Sequence, residues 1–253
     1  MNQYSTSLVV LTGASRGLGL AMAQQFLASG STVLCLSRRI QPDLADWASR
    51  HGGMLIQWSQ DLSDSSEASV RLHSWLTECS THLWESATLI NNAGVIPGLL
   101  PLSEAKAEDL VNALRVGLEA PMTLCIAFLN ATASWDVPRK ILNISSGLGR
   151  FPMASLSGYC AAKAGLDHFT RCLAIEESLK SNGAKVCSLA PGVIDTDMQT
   201  HLRQADAAQF PDHQVFVGMH SLKQLRNADD VATDVLAYLK HADFGSNPVD
   251  ELS

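Results

Sequence analysis

Short apolar runs alternate with stretches of helical spacing along this chain. SLVVLTG (7–13) is rich in β-branched residues and ends in glycine. LGLAMAQQFLASG (18–30) follows, with Leu18, Met22, Phe26 and Leu27 on one helical face and Gly30 as a stop. STVLCLS (31–37) predicts a second strand, the polar stretch 43–51 a helix, and MLIQWSQ (54–60) a third strand. A helix near 63–79 leads to a fourth strand in ATLINNAG (87–94). A long helical stretch covers about 104–133, RKILNISSG (139–147) is a fifth strand, 157–181 a second long helix, and AKVCSLAPG (184–192) a sixth strand. This alternation predicts one α/β domain over 1–253, a doubly wound parallel sheet with helices on both faces. Regularity fails between about 195 and 226, where Asp, Gln, His and Pro mix with isolated apolar residues, as in an adaptable lid. A last helix fits 227–241, and the tail ADFGSNPVDELS has room for one edge strand.

Composition narrows the function classes. Of 253 residues, 46% are apolar and 17% charged, enough to bury a large core and the reverse of a disordered chain. The net charge of −7 argues against nucleic acid as a partner, because phosphate backbones need clustered Lys and Arg, although a local basic pocket for one phosphate remains compatible. Cys35, Cys79, Cys125, Cys160, Cys172 and Cys187 have irregular spacing and no CxxC, which reads as reduced thiols in a cytoplasmic protein. The opening MNQYSTSLVVLTGASRG shows no basic region followed by a long apolar run, so neither a signal peptide nor a membrane anchor is expected. The eight histidines lack ligand spacing, and no metal site is expected.

The candidate chemistry begins at TGASRGLG (12–19), between the first strand and the first helix. Its Gly13, Gly17 and Gly19 leave bare backbone at a helix N-terminus, where free N–H groups and the dipole favour a pyrophosphate. A Rossmann-type dinucleotide site follows, and the missing GK[ST] disfavours an NTPase loop. At the end of the second strand an NAD site usually carries an acid for the ribose 2′-hydroxyl. Here Ser37, Arg38 and Arg39 stand there, and Arg16 lies in the glycine turn. Positive groups without an acid suit a 2′-phosphate, so the expected cofactor is NADP(H). Arg39 is read as a solvated surface charge and Arg38 as the cofactor cation.

SGYCAAKAG (157–165) places Tyr159 and Lys163 four residues apart on one helical face. A phenol near pKa 10 is a poor acid at neutral pH, and a nearby cation lowers that value. Tyr159 can then protonate a carbonyl oxygen as hydride reaches its carbon, with Ser146 donating a hydrogen bond to the same oxygen. The small residues between Tyr159 and Lys163 leave clearance for a nicotinamide and a ketone.

With these residues in place the chain resembles the classical short-chain dehydrogenases/reductases. The likeness runs from residue 7 to about 200 and rests on TGASRGLG, NNAG (91–94), ISS (144–146), YCAAK (159–163) and PGVIDT (191–196). It implies Ser146, Tyr159 and Lys163 as catalytic residues, with Lys163 also binding the nicotinamide ribose. It implies a cofactor cradle from Gly13, Ser15, Arg16, Gly17, Leu18 and Gly19, continued by Ser37 and Arg38. Asp61 would meet the adenine amino group, Leu62 and Ala93 would also contact the cofactor, and Asn92 and Gly94 would lie near the adenosine side. Pro191 and Gly192 would also contact the cofactor, and Ile194 and Thr196 would hold its carboxamide. The bland readings of these last residues are turn glycine, helix cap and core aliphatic. One departure stands out: the family's VNxxxP reads RVGLEAP here, with Gly117 in place of the asparagine of the catalytic tetrad. Glycine can also distort a helix and free a carbonyl; the alternative is weakened or lost turnover.

Within the family, LAPGVIDTDMQ (189–199) resembles the sepiapterin reductase branch and the related bacterial benzil reductases. This implies a carbonyl reductase for a small aromatic or vicinal dicarbonyl compound. Leu148, Met153, Leu156, Met198 and Phe216 are candidate pocket walls, each equally readable as ordinary core. Asp250 matches a terminal pterin-anchoring aspartate or is a plain solvated acid. The competing function is an NADPH-binding sensor or scaffold that has lost turnover, and a third reading, an NAD-dependent dehydrogenase, is disfavoured by Ser37 and Arg38. The two long helices imply a homodimer or homotetramer.

Overall fold

The computed structural model describes residues 6–79 and 84–252. The first five residues, part of the N-terminal stretch read above as free of a leader, and the final serine lie outside them. Seven strands form one sheet in the order β3-β2-β1-β4-β5-β6-β7, all parallel. They are β1 (Thr6–Thr12), β2 (Thr32–Ser37), β3 (Met54–Ser59), β4 (Trp84–Asn91), β5 (Arg139–Ile144), β6 (Lys185–Ala190) and β7 (Val249–Glu251). The tail strand is present at the edge, where Asp250 pairs with Leu189 of β6.

The sheet is apolar on both sides because both are covered. Along β1, Val9 and Leu11 point to one layer and Leu8 and Val10 to the other, all essentially inaccessible. Alternation therefore feeds two cores, which is why the strand reads as a continuous apolar run. The first core packs α1 (Gly17–Ala28), α2 (Pro42–His51) and α9 (Ala228–Lys240) against the sheet and contains Cys35 and Cys187. The second packs α3 (Ser65–Glu78), α5 (Ala120–Ala131) and α6 (Ser157–Ser178) and contains Cys125. Burial pushes the Cys35 and Cys125 thiols up to about 12 and Cys187 to about 11.

Two regions depart from the expected elements. The long helix predicted over about 104–133 is α4 (Ala107–Leu114), a π-helical turn over Arg115–Glu119, and α5. The amide of Ala120 closes that wide turn on the carbonyl of Arg115. Ala107–Ala131 is long and apolar enough to cross a bilayer, but here it packs against α3 and α6. The region read as irregular, 195–226, contains α7 (Asp197–Arg203) and α8 (His213–Ser221). These helices share a small third core in which Leu202, Phe210 and Phe216 meet Leu156 and Tyr159. This segment, expected to be a lid, is thus a folded unit seated on the first turn of α6.

Candidate active site

Adjacent strands β1 and β4 carry the chain to opposite sides of the sheet, and a crevice opens at their C-terminal ends. It is a cleft of about 1550 Å³ running from the glycine turn to the lid.

The glycine turn forms one end. Gly13 has φ +71, and a side chain at Gly19 would stand 2.2 Å from the Gly13 carbonyl oxygen, so the turn closes only with bare backbone. Asn92 holds it from β4: its amide Nδ2 donates to the Thr12 carbonyl at 3.0 Å, and the Thr12 hydroxyl accepts from the amides of Asn92 and Ala93. The Asn92 side chain therefore clamps the turn from within the cleft wall. Gly13, Ser15, Arg16, Gly17, Leu18 and Gly19 all line the cleft, as do Ser37, Arg38, Asp61, Leu62, Asn92, Ala93 and Gly94. Asp61 accepts from the Ser63 amide at 2.9 Å; this bond, reinforced by the nearby Arg38 charge, holds its carboxyl below the usual range. Arg16 lines the cleft, and its Nη1 donates to Asp197 at the start of α7, 2.8 Å away, with both side chains about 70% exposed. This exposed ion pair joins the glycine turn to α7.

The other end is built on β5, β6 and α6. Ser146 follows β5, and its Oγ accepts from the Leu148 amide at 3.2 Å, capping a short turn over Gly147–Gly149. Tyr159 and Lys163 are buried on the cleft face of α6, with Nζ 5.7 Å from the phenol ring centre. Lys163 Nζ donates to the Ile144 carbonyl at 2.7 Å. Burial pushes the phenol up to about 12, the Ser146 hydroxyl acting in the opposite sense. Burial also brings the lysine down to about 8, with Asp167 opposing. A nucleus of buried amides fixes this end: Asn91 donates to Asn143 and Asn143 to Thr170, both at 2.8 Å, tying β4 and β5 to α6. Gly117 lies against α6, where an added side chain would meet the Ala162 methyl at 3.1 Å.

Pro191, Gly192, Ile194 and Thr196 border the cleft between β6 and the lid. The Ile194 side chain packs in the first core while its backbone bridges to Arg226. Leu148, Met153, Leu156, Met198 and Phe216 line the lid end together, joined by Phe151 and Met219, which the sequence reading missed. Asp250 is the exception. It accepts a hydrogen bond from the Tyr238 hydroxyl at 2.8 Å and is not among the cleft residues. Its neighbour Glu251 is, and it pairs with Arg150 of the Ser146 loop at 3.1 Å. Successive strand residues face opposite sides, so a one-residue difference decides which acid enters the cleft.

The cleft fits a dinucleotide in two respects. The glycine turn is a cradle that any side chain would fill, and the buried Ser37 Oγ at the expected ribose end has no protein partner. The described residues hold no metal-ligating cluster.

Residues 7–207 match the family profile described as short chain dehydrogenase. A benzil reductase ((S)-benzoin forming) of Bacillus cereus is 33% identical over 241 residues, covering 95% of this chain and 97% of its own. A sepiapterin reductase of Xenopus tropicalis is 30% identical over 210 residues, covering 79% and 78%. Among solved structures, a metagenomic short-chain oxidoreductase in complex with NADP superposes with a TM-score of 0.74 at 25% identity, covering 99% of this chain and 97% of the other.

Proposed function

The chain belongs to the short-chain dehydrogenase family and is an oxidoreductase, and on that premise we propose that it is an NADPH-dependent reductase of small aromatic or vicinal dicarbonyl compounds. The observation that carries the reading is the convergence of Ser146, Tyr159 and Lys163 at one point of the cleft. NADPH, when bound, supplies the hydride. Tyr159 gives its proton to the carbonyl oxygen, and Ser146 donates a hydrogen bond to the same atom. The Ser146 hydroxyl opposes the upward push of burial on the phenol, and the Lys163 ammonium, 5.7 Å from the ring centre, is a cation that favours proton release. Ser37 and Arg38, with no acid at the strand end, favour the 2′-phosphate. The apolar wall of Leu148, Phe151, Met153 and Phe216 suits an aromatic ketone, and the 33%-identical benzil reductase supports that class.

The π-helical turn supports retained turnover despite Gly117, because the wide turn is present without an asparagine. The protein acts in the cytoplasm as a homodimer or homotetramer; the exposed Ile126 of α5, Ile175 of α6 and Leu179 just after α6 are apolar residues that such contacts would cover. The test is NADPH oxidation with benzil and sepiapterin by wild type and Tyr159→Phe. Turnover in the wild type, reduced about 10²–10⁴-fold in the variant, is expected. Tight NADPH binding with no turnover on a wider carbonyl panel would replace this reading by the sensor.

A further inference from the structure

One buried acid is left unused by this mechanism. Asp167 lies on α6 one turn beyond Lys163, so phenol, ammonium and carboxylate follow each other at four-residue intervals along one face of the helix. The carboxyl is only 2% exposed. Its Oδ1 accepts from the Ser188 hydroxyl of β6 at 2.6 Å, while Oδ2 is buried without a partner. A side chain at Gly149 would come within 2.8 Å of Oδ2 and 3.2 Å of the Lys163 carbonyl, so the turn after Ser146 closes directly over both residues. An acid held this way by one hydroxyl, in the layer beneath the cleft, is costly unless its charge is used.

We propose that Asp167 is a positioning residue of the reaction: its buried carboxylate supplies the counter-charge that keeps Lys163 an ammonium beside Tyr159. This rests on the reductase reading above. Lys163 is itself 4% exposed and makes no ion pair among the described residues; its hydrogen bond goes to a neutral carbonyl. From the facing helix Gly117 offers no side chain, only close backbone approach to Ala162. Among the described residues, ionisable groups on the packed elements include Tyr159 and Cys160 on α6, Cys187 on β6, and Arg115 and Glu119 of the π-helical turn, where Glu119 is engaged by the Ser65 hydroxyl. Beyond them lie Tyr238 on α9 with Asp250 on β7, and Arg150 of the covering turn, paired to Glu251. Cys187 feels both Asp167 and Asp250, but Asp250 is already engaged by the Tyr238 hydroxyl. Asp167 thus stands as the carboxylate acting on the lysine, and it acts to raise a proton affinity that burial lowers.

The test reads Lys163 directly in the cofactor-free protein, by ¹³C NMR titration of labelled lysine with the signal assigned through Lys163→Met. Asp167→Asn keeps the volume and an acceptor for Ser188 but removes the charge. Its expected effect is to lower the Lys163 midpoint by about one pH unit, a tenfold change in proton affinity. Ser188→Ala removes the hydrogen bond and keeps the charge, and leaves the midpoint where it was. Gly149→Ala is the second variant should Asp167→Asn not fold; it displaces the carboxylate without removing it and moves the midpoint in the same direction. With NADPH and benzil, the alkaline fall of kcat then moves down by the same interval in Asp167→Asn while KM is unchanged. A Lys163 midpoint unmoved by Asp167→Asn, or moved equally by Ser188→Ala, overturns the proposal. Because the titration needs no turnover, an inactive wild type would sink the reductase reading alone.

Discussion

Replacing Gly117 with alanine adds one methyl group where the π-helical turn packs against α6. The new carbon would stand 3.1 Å from the Ala162 methyl, which sits on a helical backbone and has no rotamer to escape into. Carbon pairs settle at about 3.5–4.0 Å, so the π-helical turn and α6 must separate by roughly 0.5 Å. Overpacking of this kind costs about 1–3 kcal/mol. The higher helix propensity of alanine returns up to about 1 kcal/mol. The net expectation is destabilisation by about 1–2 kcal/mol, a fall in Tm of roughly 2–8 °C for a chain of this size. Ala162 also lies between Tyr159 and Lys163, so the displacement is transmitted to the reacting groups, and kcat should drop about tenfold with KM little changed. The assay is a double-mutant cycle with Ala162→Gly, followed by thermal unfolding and by NADPH oxidation. Removing the opposing methyl should restore most of the loss, with a coupling energy of at least ~1 kcal/mol. A Gly117→Ala protein as stable as wild type, with a coupling energy near zero, would refute the argument. Asparagine, which begins with the same carbon, should fare no better.

Other consequences can be measured separately. Ser37→Asp puts an acid at the ribose end of the cleft; it should raise KM for NADPH at least about tenfold and improve use of NADH, and unchanged preference would remove the 2′-phosphate from the argument. Lys163→Met tests the cost of the buried ammonium. The folded-state value of Lys163 is depressed to about 8 from 10.5, so between those limits the unfolded chain binds the proton and the folded one does not. Wild-type stability therefore rises with pH across that window. The methionine variant should be the more stable protein at and below pH ~8, by about 1–3 kcal/mol, and the gap should close toward pH ~10. Urea unfolding at both ends of the window measures it, and a gap that ignores pH would rule out the buried charge as its cause.

How much of this was legible beforehand differs by element. β1 through β6 were readable because each is a short apolar run bounded by turn residues, and the glycine turn because its spacing has one economical backbone solution. The π-helical turn was not, since an irregularity of a single residue leaves the apolar periodicity around Val116 and Leu124 almost intact. The lid helices were hidden for another reason. Their apolar contacts, Leu202 and Phe216, are sparse and point to a small local core, so no long stripe develops. β7 has three residues, too few to show a period. The exchange of Asp250 for Glu251 in the cleft follows from that, because facing is decided by pairing with β6. The ion pair of Arg16 with Asp197 joins positions 181 residues apart and leaves no local signature.

The distribution of cysteines gives the molecule a built-in clock. Cys35 is sealed in one layer and Cys125 in the other, while Cys172 is exposed. A thiol reagent added to the native protein will mark Cys172 at once and must wait for Cys35 and Cys125 until their layer opens. If the two sealed thiols are marked at one rate, the layers on either side of the sheet breathe as a single cooperative unit. If Cys125 leads, the face that carries α5 and α6 loosens first, and the chain spends part of its life with the sheet intact and its reacting helix adrift.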